Sequence, residues 1–194
     1  MNTAPIKLST SLFSLALEWN SGAYSLEQLM AKAKENSVGY GIEIVGFQSL
    51  RGYPHLSDEQ INEVKNLIEK YGFEPACLGA NLDVALRRDK LLNNDESVEY
   101  LLPQLEVAKK LGFPVLRLPF SAKPDVIRKL VPLAEKATIK LGLEIHAPNQ
   151  VNQPAVLALR ELFHKLNSPF LGFVADFSTS IRNIPEALLD SFRE

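Results

Sequence analysis

A recurring punctuation constrains the fold of this chain more than any other feature. Residues 70–73, 110–113 and 140–143 read KYGF, KLGF and KLGL. Each stands where a helical pattern gives way to a strand pattern. Lysine in a last helical turn complements the helix dipole, and glycine just beyond takes the left-handed conformation that closes a helix. An apolar strand then follows. Divided at these points, the chain predicts six strand–helix units. Strands are expected near 6–13, 40–46, 74–82, 114–119, 142–147 and 170–176. Helices are expected near 25–36, 57–71, 95–111, 124–141, 153–167 and 184–193.

Local signals support the helices. Ile61, Val64, Leu67, Ile68 and Tyr71 share one face at the 3.6 period, as do Val156, Leu159, Leu162, Phe163 and Leu166. Ser25–Gln28 and Ser57–Gln60 have the spacing of capping boxes. Pro124 and Pro185 sit where first-turn prolines do.

Strands alternating with helices imply parallel strands joined by right-handed crossovers. No GxGxxG or GxxxxGK follows the first strand, which argues against an open nucleotide-binding sheet. Polar residues at several strand ends favour a (β/α)8 TIM barrel, whose active site lies there. The expected class is α/β, with six of the eight units present in one domain over 1–194. Units seven and eight are missing from this count, and such a sheet has unpaired edges. The expectation is an incomplete barrel, or one completed by another chain.

Composition removes several function classes. A net charge of −2 argues against nucleic acid or an anionic membrane as partner. Cys77 is the single cysteine, so no internal disulfide forms and a reducing cytoplasm fits. The apolar run SLFSLAL at 11–17 is too short to span a bilayer and lacks a cleavage pattern.

The chemistry concentrates in LGLEIHAP, residues 141–148. Strand alternation turns Glu144 and His146 to one face and Leu143, Ile145 and Ala147 to the other. A carboxylate among apolar neighbours costs several kcal/mol, roughly, unless paired or metal-bound. The same parity turns Glu43 and Arg117 away from their aliphatic neighbours, and sets Asp176 with Val174 and Gly172. Asn81 falls near the end of the third strand. Glu144 and Asp176, on adjacent strands, would repel unless one protonates or a cation lies between them. A hard divalent ion suits such oxygen ligands. The alternative is that Glu43 and Glu144 pair with Arg117 while Asp176 caps a loop. His146 is open to three readings: ligand, general base or hydrogen-bonded core histidine. His55, after the second strand, lies at the correct barrel end to line a substrate pocket, or is a solvated loop residue. Arg87 and Arg88 face the same choice. Trp19 either stacks on a sugar or packs, His164 reads as surface or helix packing, and Cys77 reads as core.

The ordered series GIEIVGF, AKKLGFPVLRLPF, LGLEIHAP and LGFVADF resembles the xylose isomerase-like barrels of sugar phosphate isomerases and epimerases. The resemblance implies that Glu144 and Asp176 are divalent-metal ligands, completed in the family by a histidine on strand seven and a glutamate on strand eight. EIVGFQSLRGYPHL, CLGANLDVALRRDK and GLEIHAP together look like the large, metal-binding subunit of C-glycoside deglycosidases. That resemblance implies a general-base role for His146 and a small, β-rich partner subunit. The related apurinic endonucleases carry Asp-x-x-His after strand six. Here the stretch reads Asp176-Phe-Ser-Thr179, which counts against DNA repair.

Two functional classes follow. In the first, a metal (Mn²⁺ foremost, with Mg²⁺, Zn²⁺ or Co²⁺ as alternatives) polarises a carbonyl of a sugar or oxidised glycoside. His146 or Glu144 then abstracts the neighbouring proton, with Arg117, His55, Glu43 and Asn81 around the substrate. Isomerisation, epimerisation and cleavage of a C-glycoside all begin with that step. In the second, the chain is a non-catalytic sugar-binding barrel that needs a partner, either another copy of itself or a second subunit.

Overall fold

The computed structural model describes residues 6–180. The elements run β1 Ser9–Ser11, α1 Ala16–Asn20, α2 Leu26–Glu35, β2 Gly41–Val45, α3 Gly46–Ser49, α4 Asp58–Lys70 and β3 Glu74–Gly79. They continue α5 Asn94–Leu111, β4 Val115–Leu118, α6 Pro124–Ala137, β5 Lys140–Ile145, α7 Pro154–Leu166 and β6 Leu171–Ala175. Short 3-10 turns cover Leu12–Leu15 and Phe177–Ser180. The sixth expected helix, near 184–193, and Pro185 lie outside the described residues.

The six strands form one parallel sheet in the order β1-β2-β3-β4-β5-β6. A doubly wound sheet reverses its order at a switch point. This one never reverses, so the winding is that of a TIM barrel, with six of the eight strands of such a barrel among the described residues. Alternation gives each inner strand two jobs. Ile42, Ile44, Leu78, Leu116, Leu118 and Leu143 are fully buried beneath the helices, beside Leu101, Leu105, Ile127 and Leu130. Burying one such side chain contributes about 1.5–3 kcal/mol. Glu43, Arg117 and Glu144 point to the other side. The edge strands β1 and β6 contain no fully buried residue, unlike the four between them.

Both expected capping boxes form. Gln28 N donates to Ser25 Oγ at 3.3 Å and Ser25 N to Gln28 Oε1 at 2.8 Å. The corresponding Ser57–Gln60 distances are 3.3 and 2.9 Å. A third box, Asn93–Glu96, caps α5. Pro124 opens α6 as its spacing indicated.

Two of the boundaries that differ from the sequence expectation have a visible local cause. The first strand is only Ser9–Ser11, because the Ser11 hydroxyl accepts from Phe13 N at 3.2 Å and starts a turn. The third glycine signal also breaks down. Gly72 and Gly112 follow their helices at φ 61° and 79°, but α6 ends at Thr138, which itself takes φ 61°. The strand therefore begins at Lys140, and Gly142 lies inside it.

Candidate metal and substrate site

Inward-facing side chains at the carboxyl ends of the strands surround a recess of about 840 Å³, within the usual range for a small-molecule pocket. Its floor is a charged triad from three strands. Arg117 donates from Nε to Glu43 Oε1 at 2.9 Å and from Nη1 to Glu144 Oε2. All three side chains are largely shielded, at 17 to 20% exposed. Burial works against the guanidinium charge, but Glu43 and Glu144 more than offset it and hold the Arg117 pKa above its ordinary value. The pairing anticipated as an alternative is therefore present. It engages one oxygen of Glu144, and Oε1 takes no hydrogen bond among the described residues.

The rim is built by the loops leaving β5 and β6. Both strands stop earlier than expected, at Ile145 and Ala175, so His146 and Asp176 are the first residues beyond them. Two bonds tie these segments together and a third closes the turn after β6. Asp176 N donates to Ile145 O at 3.0 Å, Ala147 N to Ser178 Oγ at 2.9 Å, and Ser178 N to Asp176 Oδ1 at 2.7 Å. The backbone N–H and the hydroxyl of Ser178 hold the Asp176 carboxyl below the usual carboxylate range, with nearby His146 and Arg117 adding to the effect. Asp176 thus caps a turn and also lines the recess. His146 is exposed, with Nδ1 2.6 Å from the Ala147 carbonyl. If Nδ1–H donates there, Nε2 carries the free lone pair.

Asn81 lines the recess just past β3. Its Nδ2 donates to Tyr100 Oη at 2.7 Å, and its backbone is gripped by Gln104 at 3.0 and 2.9 Å. Tyr53 Oη also donates to Gln104, at 3.0 Å. This brace from α5 was not anticipated, because its members are far apart in sequence. Phe13, Phe47 and Phe177, all exposed, form an apolar rim that was also missed. Their signal was positional: each closely follows a strand.

Other named residues lie elsewhere. The turn through Tyr53 and Pro54 carries His55 to a separate recess beside Pro103 and Glu106, away from Glu144. Trp19 stacks under Arg51 at 4.6 Å. Arg87 pairs with Asp89 and Glu96, Arg88 is exposed, and His164 is exposed on α7. Cys77 faces inward, and burial pushes its thiol up to about 12, which excludes a ready nucleophile.

The donor set fits part of a divalent cation's shell. Glu144 and Asp176 offer carboxylate oxygen and His146 an imidazole, all on one recess. Among the described residues, no three His, Cys, Asp or Glu side chains cluster tightly enough to hold an ion alone.

Comparison with known proteins agrees with this fold. The family described as xylose isomerase-like TIM barrel matches residues 31–183. A 3'-dehydrocarminate deglycosidase alpha subunit from a Microbacterium species is 40% identical over 186 residues, covering 96% of this chain and 53% of that protein. A C-glycoside deglycosidase alpha subunit of Arthrobacter globiformis is 39% identical over 184 residues, covering 94% and 50%. The chain thus spans about half the length of these curated relatives. Among solved structures, the IOLI protein with a bound zinc atom superposes with a TM-score of 0.62 at 20% identity, covering 90% of this chain and 64% of that one. At that identity the likeness shows the fold.

Proposed function

The chain belongs to the xylose isomerase-like TIM barrel family, and on that footing we propose that its recess binds a divalent metal and a sugar or oxidised glycoside. The reaction would be proton abstraction beside a carbonyl. The observation that carries this reading is the convergence of Glu144, His146 and Asp176 on one recess at the ends of β5 and β6.

Glu144 through Oε1 and Asp176 would hold the ion, with Mn²⁺ the first expectation. When bound, a divalent cation supplies Lewis-acid polarisation of a carbonyl. His146 takes the proton from the adjacent carbon at Nε2, while the Ala147 carbonyl fixes its ring. The electron pair left behind delocalises into the carbonyl, above the positive charge of Arg117. Asn81, held by Tyr100 and Gln104, and Glu43 present hydrogen-bonding groups to hydroxyls. The exposed phenylalanines of the rim offer apolar surface to the aglycone.

The names of the deglycosidase relatives support a glycoside whose sugar has been oxidised, since aglycone elimination starts from the same proton abstraction. Their naming as alpha subunits supports a partner chain, which we expect to be small and β-rich. No helix among the described residues is long and apolar enough to cross a membrane.

A second reading, a non-catalytic sugar-binding barrel dependent on a partner, draws on β1 and β6. Each pairs along one edge only among the described residues.

Deuterium wash-in separates the two. The chain is incubated with a 3-keto-glycoside in D2O, and exchange beside the carbonyl is followed by NMR. The enzymatic reading expects exchange that falls about 10²–10⁴-fold in His146→Ala. Exchange unchanged by that substitution removes His146 as the base, and no exchange in the wild type favours the binding module.

A further inference from the structure

We propose that Arg117 is a positioning residue for Glu144, and that the bare backbone at Gly79 gives its guanidinium room to act. The inference rests on the metal reading above and deepens it. In the sheet register Arg117 lies directly between Gly79 on β3 and Gly142 on β5, and Gly172 on β6 continues the row. Beside this arginine, the wall carries no side chain on either neighbouring strand. The vacancy at Gly79 is used: a Cβ there would come 3.0 Å from Arg117 Nη2 and 3.2 Å from Val45 Cγ2.

The guanidinium placed there reaches one carboxylate on each side. Glu43 is in register with Cys77, one inward position before Gly79, and Glu144 stands one inward position after Gly142. Nε holds Glu43 and Nη1 holds Glu144, so the planar fork is fixed at both ends. A terminal carboxylate torsion is otherwise broad and roughly two-fold. Arg117 removes that freedom by engaging Glu144 Oε2, which leaves Oε1 to the recess. Glu43 is the anchor that keeps the fork from turning. Lysine would keep the charge and lose the fork.

The test is the affinity of the full chain for Mn²⁺ alone, measured by calorimetric titration, with thermal melts confirming that each variant is folded. Arg117→Lys preserves every ligand and every charge, and should weaken Mn²⁺ binding about tenfold or more, the scale typical of groups that orient metal ligands. Gly79→Ala changes no charge, displaces the guanidinium and should weaken binding in the same direction. It decides the matter if Arg117→Lys does not fold. Wild-type affinity in the folded variant overturns the positioning role and leaves the metal reading standing. A wild-type chain that binds no Mn²⁺ overturns both.

Discussion

The amide of Asp176 donates to the carbonyl of Ile145 at 3.0 Å, joining the last residue of β5 to the first residue beyond β6. This bond sets Asp176 level with His146 and one step above Glu144. The proposed base and the two proposed ligands therefore occupy two successive steps at the ends of two adjacent strands. The relative placement of these groups is fixed by backbone pairing, the least adjustable contact in a sheet.

Removing Arg117 should expose the cost of the floor. In Arg117→Met the facing carboxylates Glu43 and Glu144 lose their shared cation. A fully buried pair broken from one side costs about 3–5 kcal/mol. These side chains are 17 to 20% exposed, which brings the expectation to about 2 kcal/mol. Denaturant unfolding measures it, and Glu43→Gln added to Arg117→Met should recover part of the loss.

Gly142→Ala should destabilise for a steric reason. The new Cβ would meet Val174 Cγ2 at 2.7 Å between β5 and β6. Overpacking of this kind costs about 1–3 kcal/mol. Val174→Ala in the same chain should restore most of that stability, which chemical denaturation can read out.

The capping box at α5 gives a local prediction. Asn93 Oδ1 accepts from Glu96 N at 2.9 Å, and Glu96 Oε2 accepts from Asn93 N at 2.9 Å. Asn93→Ala should cost about 1 kcal/mol. Because α5 carries Gln104, the Asn81 amide should also gain solvent exchange, detectable by hydrogen exchange.

Ser178 sets the acid response of the rim. The folded-state pKa of Asp176 is depressed, so its stabilising charge is present above the ordinary aspartate value and is lost as pH falls through the folded value. Ser178→Ala removes the hydroxyl and should move that loss to higher pH. A ¹³C titration of the Asp176 carboxyl checks the direction.

Much of this arrangement was legible in the residues. Periodicity and caps place the five longer described helices near their observed ranges, though not the short α1 and α3, and strand parity turns Glu43, Arg117 and Glu144 to one side, where they meet. Other features depended on contacts that parity does not encode. Thr138, an unusual residue for a left-handed position, replaced Gly142 as the end of α6 because the strand needed Lys140 and Leu141 for pairing with β4. His55 shared a barrel end with the site, yet a turn took it to another recess. The ties made by Ser178 and by Gln104 join segments distant in sequence, and no local pattern marks them.

Everything proposed for this recess depends on Glu144 and Asp176 binding a divalent metal. Mn²⁺ stoichiometry, measured on the purified chain after equilibration with the ion and removal of the unbound fraction, tests it most directly. Close to one Mn²⁺ per chain is expected in the wild type, with loss of binding in Asp176→Ala. Retention of the same stoichiometry in Asp176→Ala, or no Mn²⁺ on the wild-type chain, would contradict it.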